Sequence, residues 1–141
     1  MLITETKLRV RYKETDAMGI AYYANYLVWF EVGRTEWMRA LGPSYGELER
    51  SGIFLPVIRV TCEYKLPVRY DDELTVITRI ENLGVVRLTF NYEIRHGGQL
   101  VARGSTEHAF VNAKGKPAAL RKMNPFLWRK LTQALEGDPA E

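Results

Sequence analysis

Glu14-Thr15-Asp16-Ala17-Met18-Gly19-Ile20-Ala21-Tyr22-Tyr23-Ala24-Asn25-Tyr26 runs straight into the apolar stretch Leu27 to Leu41, and these residues decide the fold. The pattern predicts a strand exit, a tight loop closed by Gly19, and a long buried helix. Tyr26, Leu27, Val28, Trp29, Phe30, Val32, Trp37, Met38, Ala40 and Leu41 cover more than the roughly 100° stripe of an ordinary surface helix. Such a helix must be wrapped on most sides. Glu31, Arg34, Thr35, Glu36 and Arg39 occupy the narrow polar remainder. Gly33 costs a helix interior about 1 kcal/mol relative to Ala, and it reads as a close-packing point against a sheet.

Upstream, Leu8, Val10 and Tyr12 alternate with Lys7, Arg9 and Arg11, the period of a strand with one buried face that delivers Asp16 to the loop. Downstream, Gly42-Pro43 stops the helix, and Ser44 with Glu47 resembles a capping box for a short helix to Arg50, ended by Ser51-Gly52. Phe54 to Tyr70 reads as extended, with Ile58, Val60, Cys62 and Tyr64 on the buried face and Pro56 and Pro67 near its ends. After a turn at Asp71-Asp72, two strands alternate on Leu74, Val76, Thr78, Ile80 and on Leu88, Phe90, Tyr92, Ile94, with Asn82-Leu83-Gly84 between them. His96-Gly97-Gly98-Gln99 is a hairpin turn, and Leu100 to Asn112 is the return strand. Asn124-Pro125 opens a C-terminal helix through Phe126, Leu127, Leu131 and Leu135. One strand, a buried helix and about four further antiparallel strands make an α+β class. The expected organisation is a single domain over 1–135 and a flexible tail over 136–141.

Asp16 stands in the loop just before a helix whose unpaired N–H groups favour a developing anion. A carboxylate beside such donors can carry acyl-transfer chemistry. On general grounds a loop aspartate before a helix is a turn or cap residue, and Asn25 reads as a cap or a substrate contact. His96 and His108 lack the partner spacing of a metal pair or a triad and read as structural; no metal site is expected. Cys62 reads as a packing thiol, and Gly104-Ser105-Thr106 lacks a nucleophile elbow.

Arg11-Tyr12, Glu14-Thr15-Asp16-Ala17-Met18-Gly19, Tyr23-Ala24-Asn25-Tyr26, Trp29-Phe30-Glu31 and Arg34-Thr35-Glu36 together resemble the signature of the 4-hydroxybenzoyl-CoA thioesterase family of hotdog-fold acyl-CoA thioesterases. The likeness continues more weakly through Cys62 to Asp72 and the later strands. It implies an antiparallel sheet of about five strands wrapped around one long central helix. It implies hydrolysis of an acyl-CoA thioester to free acid and CoA, with Asp16 as the catalytic carboxylate and the Tyr23 backbone N–H as the oxyanion donor. Some relatives carry a histidine where this chain has Tyr23. By the same resemblance Arg87 lies where relatives carry basic groups for the CoA phosphates, with Arg59, Lys65 and Arg69 weaker candidates. Gly19 and Asn25 are further candidate substrate contacts in the loop, and Pro56 and Val57 are expected to wall the acyl channel from the other subunit. No cofactor is implied, since coenzyme A belongs to the substrate. Self-association is implied too: a homodimer with interfacial sites, pairing further into a homotetramer. The alternatives are a hotdog hydratase or dehydratase, which wants a histidine at the helix start, and a non-catalytic acyl-CoA-binding protein.

The 141 residues suffice for one core, and 46% hydrophobic with 26% charged residues is the balance of a globular chain. The formal net charge of +3 favours anionic partners, but the basic residues are scattered and no nucleic-acid motif occurs. No apolar run reaches a membrane span, Met1 to Glu5 lacks the basic and apolar regions of a signal peptide, and the single cysteine rules out an internal disulfide framework; a cytoplasmic protein is expected.

Overall fold

The computed structural model describes residues 1–42 and 45–137. Five antiparallel strands, β1 (Thr4–Arg9), β2 (Val57–Tyr64), β3 (Glu73–Leu83), β4 (Arg87–His96) and β5 (Gln99–Ala109), form one sheet in the order β1-β3-β4-β5-β2. Helix α1 (Asn25–Leu41) lies across it, with α2 (Tyr45–Arg50), α3 (Leu120–Met123) and α4 (Pro125–Glu136) at its margins. The expected α+β hotdog architecture is present.

The inward positions of the central strands match the period-two reading: Leu74, Val76, Thr78 and Ile80 on β3, and Leu88, Phe90, Tyr92 and Ile94 on β4, are all buried. Against them α1 lays Tyr26, Trp29, Phe30, Gly33, Arg34, Trp37 and Met38, and the Phe30 ring stacks on Tyr92 with centroids 4.4 Å apart. Gly33 is the close-packing point its position suggests. A Cβ there would stand 2.5 Å from Thr78 Oγ1 and 2.7 Å from Val76 Cγ1. The Gly97-Gly98 turn takes φ of 57° and 83°, and Asn124 Oδ1 accepts from the Leu127 N–H at 3.0 Å to cap α4.

Several sequence readings need correction. Tyr12 is not on the strand's buried face. The chain leaves the sheet after Val10 and turns through a 3-10 helix over Tyr12–Glu14, so Tyr12 is exposed. Arg34 is not on the polar face of α1. It is buried, and its Nη1 donates to the Tyr92 hydroxyl at 3.1 Å. The helix is not wrapped on most sides by its own chain, since Leu27, Val28, Val32 and Ala40 are exposed. The expected buried face of β2 is open as well: Ile58, Val60 and Tyr64 are exposed and Cys62 half-buried, because β2 is the sheet edge and nothing else among the described residues covers it. The turn placed at Asn82-Leu83-Gly84 begins later, as β3 continues to Leu83 past an irregularity between Ile80 and Asn82. The Ser44 cap and the end of the proposed tail fall outside the described residues.

A polar chain crosses this core. The Leu55 carbonyl can only accept, so His108 Nδ1, 2.9 Å away, carries the ring proton and Nε2 accepts from the Thr106 hydroxyl at 2.8 Å. Thr106 Oγ1 in turn accepts from the Tyr92 hydroxyl at 2.6 Å, which accepts from Arg34. Burial, with Arg34 adding to it and the Leu55 carbonyl opposing it, lowers the imidazole to about 4. The structural reading of His108 holds. Among the described residues no helix is long and apolar enough to cross a membrane.

Candidate active site

The loop between the 3-10 turn and α1 is built on Glu14, a residue to which the sequence reading gave no role. Its side chain is buried; Oε1 accepts from the Arg11 N–H at 2.7 Å, and Oε2 from Trp29 Nε1 at 3.1 Å. Burial disfavours its charge, but the Arg11 and Trp29 hydrogen bonds and the Arg11 guanidinium outweigh this and hold the carboxyl below the usual glutamate range. Its carbonyl accepts from the Tyr22 N–H and from Asn25 Nδ2, both at 2.8 Å. One residue therefore fastens the loop to the start of the helix. The available sequence signal was a second acid two positions before Asp16, on a turn facing the indole of Trp29.

This geometry corrects the cap reading of Asn25. The N-cap is Ala24, with no side-chain cap bond, and the Asn25 amide instead ties α1 to the Glu14 carbonyl. Gly19 takes φ of 78°, which an L residue adopts only with strain. Its N–H donates to the Asp16 carbonyl at 3.0 Å, while the Asp16 N–H donates to the Ile20 carbonyl at 2.9 Å.

Asp16 is half-buried. Its Oδ1 accepts from the Met18 N–H at 2.8 Å, an Asx turn that fixes the carboxylate; among the described residues its Oδ2 has no protein partner. The turn reading and a chemical role are thus compatible. Close in sequence, the Tyr22 carbonyl accepts from the Asn25 N–H at 3.0 Å. In a planar trans peptide the N–H points opposite to the carbonyl, so the Tyr23 N–H is turned away from the helix. Among the described residues neither it nor the Ala24 N–H has a protein acceptor.

Beside these donors lies a cleft of about 280 Å³ lined by Ile20, Ala21, Tyr23, Tyr26, Tyr64, Lys65, Leu66 and Pro67. Three tyrosines shape it: Tyr64 meets Tyr26 edge-on at 4.9 Å and Tyr23 at 6.4 Å. Burial, with Cys62 nearby, pushes the Tyr26 phenol up to about 12. The Cys62 thiol is raised, chiefly by burial, as suits a packing residue.

Asp16, Gly19, Tyr23 and Asn25 thus share one loop and helix start, whereas Pro56, Val57 and Arg87 lie elsewhere in this chain. Val57 pairs with His108, and Arg87 with Ala109, at the end of the sheet opposite Tyr64. Arg87 Nη1 there donates to Glu107 at 2.9 Å. Lys65 adjoins the cleft with its charge on Glu63 at 2.8 Å, and Arg69 lies against Gly19.

Comparison with known proteins agrees with this architecture. The family model of the thioesterase-like superfamily matches residues 10–131. YneP of Bacillus subtilis, provisionally named an acyl-CoA thioesterase, is 38% identical over 127 residues, spanning 89% of this chain and 92% of its own. The acyl-CoA thioesterase YbgC of Haemophilus influenzae is 30% identical over 82% of this chain and 86% of its own. The DHNA-CoA thioesterase structure from Staphylococcus aureus superposes with a TM-score of 0.90 at 34% identity, covering 94% of this chain and 91% of that one. The chain is a hydrolase of the thioesterase-like superfamily, with the hotdog fold.

Proposed function

We propose that the chain is an acyl-CoA thioesterase, converting an acyl-CoA and water to the free acid and CoA. Asp16 is its catalytic carboxylate and the Tyr23 N–H its oxyanion donor. The observation that carries this reading is the pair of unused groups, the Asp16 Oδ2 and the Tyr23 N–H, in one loop whose Ile20, Ala21 and Tyr23 line an apolar cleft. A thioester carbonyl placed against the N–H develops negative charge that the helix start favours. Asp16 then either takes a proton from the water that attacks the carbonyl, or attacks the carbonyl itself to form a mixed anhydride that water afterwards cleaves to the free acid; in both routes the C–S bond breaks and the leaving thiolate takes up a proton. Neither route calls for a metal or cofactor.

The working unit in this reading is a homodimer. β2 is an edge strand exposed along nearly its whole length, and α1 exposes Leu27, Val28 and Val32; long apolar edges invite pairing. A second copy added antiparallel about a two-fold axis through the middle of β2 sets Val57 of one copy near Tyr64 of the other. Pro56, Val57 and the Arg87 end would then wall the other copy's site, with Gly19 and Asn25 shaping its loop. Pairing of two dimers into a homotetramer, and residence in the cytoplasm, where the free Cys62 thiol stays reduced, complete the reading.

The test is release of free thiol from a panel of acyl-CoAs, short aliphatic through long-chain and aromatic. Turnover of any member is expected. Silence across the panel, or double-bond hydration in place of thiol release, would overturn the assignment.

A further inference from the structure

We propose that Tyr64, on the edge strand, is a positioning residue whose hydroxyl holds the main chain of Tyr23 so that the loop N–H groups meet a developing oxyanion. The inference rests on the thioesterase reading above, and it adds a residue that the reading does not use.

The Tyr64 hydroxyl donates to the Tyr23 carbonyl at 3.0 Å, across 41 positions of sequence. The bond within the helix start that shares this carbonyl, from the Tyr26 N–H, is the longer at 3.3 Å. On the other side of Tyr23, the preceding peptide is pinned through the Tyr22 carbonyl by the Asn25 N–H, and one peptide earlier the Tyr22 N–H donates to the Glu14 carbonyl. Tyr64 thus completes the restraint: with both peptides flanking the Tyr23 Cα held, the Tyr23 and Ala24 N–H directions are fixed. A hydrogen bond at a peptide carbonyl also polarises the N–H of the same peptide, which here is that of Ala24. Pre-set donors need no reorganisation as charge develops, and this is where such groups act on rate.

Burial, followed by the contact with Cys62, raises the Tyr64 phenol above its ordinary range, so it remains a donor at any working pH. The bond reaches Tyr23 from β2, the strand that pairs with a second copy in the proposed dimer. The hydroxyl is separable from the packing, because the ring itself meets Tyr26 and Tyr23 edge-on and phenylalanine keeps those contacts.

The experiment compares wild type, Tyr64→Phe and Asp16→Asn by steady-state thiol release, on an acyl-CoA that wild type turns over and at several protein concentrations. The Tyr23 13C carbonyl resonance is read alongside. For Tyr64→Phe, kcat is expected to fall about tenfold with KM within about twofold, the melting temperature kept and the Tyr23 carbonyl resonance displaced. Unchanged kcat in folded Tyr64→Phe overturns the inference. Recovery of kcat at higher protein concentration overturns it too, since Tyr64 would then act through association. A wild type silent on every acyl-CoA instead brings down the thioesterase reading, and the positioning role goes with it, while an active Asp16→Asn overturns the role of Asp16 alone and leaves Tyr64 to be judged by its own kcat.

Discussion

Trp29 Nε1 donates to Glu14 Oε2 at 3.1 Å inside the fold, fifteen positions away along the chain, while the same glutamate carries the Arg11, Tyr22 and Asn25 contacts of the loop. The acid that shapes the site and the acid proposed to work in it are thus two residues apart with opposite environments. Glu14→Ala leaves a buried indole N–H and a main-chain N–H without acceptors. A loss of about 2 to 4 kcal/mol in denaturant unfolding is expected, with activity reduced in the remaining folded protein because the carboxylate ties to Arg11 and Trp29 are lost while only the carbonyl ties to Tyr22 and Asn25 remain.

The approach of α1 to β3 sets a second test. Gly33→Ala gains about 1 kcal/mol of helix propensity but drives a methyl group into Thr78 and Val76. The steric term wins, and the variant is expected to lose about 1 to 3 kcal/mol by thermal or denaturant unfolding.

The buried histidine makes a pH prediction. Its imidazole titrates at about 4 in the fold against 6.5 ordinarily, so between those values the unfolded chain takes up a proton that the fold refuses. Stability therefore falls as pH drops from about 6.5 to about 4, by on the order of 3 kcal/mol, and this contribution flattens below. Glu14, held below its ordinary value, adds a further loss as pH falls through its lowered value. Urea titrations across this range, with His108→Gln lacking the upper part of the slope, check the assignment.

The open edge makes a fourth. Val60 is exposed in the middle of β2, and a lysine there is a charge that edge strands use against pairing. Val60→Lys is expected to shift the solution mass towards the 16.3 kDa chain and to reduce thiol release with it. Wild type that sediments as a monomer at every concentration would contradict the dimer.

Local periodicity carried most of the fold, because β3, β4 and α4 each pack within this chain and their patterns match the faces they bury. Tyr12 misled because a 3-10 turn breaks the alternation after Val10, and turn geometry leaves little trace in a pattern of period two. Ile58, Val60, Leu27 and Val28 misled for another reason: their apolar character speaks of a surface, and the sequence does not say whether its partner is the same chain. In the candidate site, the loop that carries Asp16, Gly19 and Tyr23 was legible as a loop because it is one continuous stretch ahead of α1. Glu14 and Tyr64 were not legible, since their roles arise from contacts with Trp29 and Tyr23 made across the fold.

The central claim is that Asp16 acts in thioester cleavage, and thiol release by Asp16→Asn beside wild type tests it most directly. The substitution keeps an acceptor for the Met18 N–H at Oδ1 and removes the charge. A fall in kcat of about 100-fold or more, with the melting temperature preserved, is the predicted result. Activity that survives the substitution would contradict the account and leave Asp16 as a turn residue.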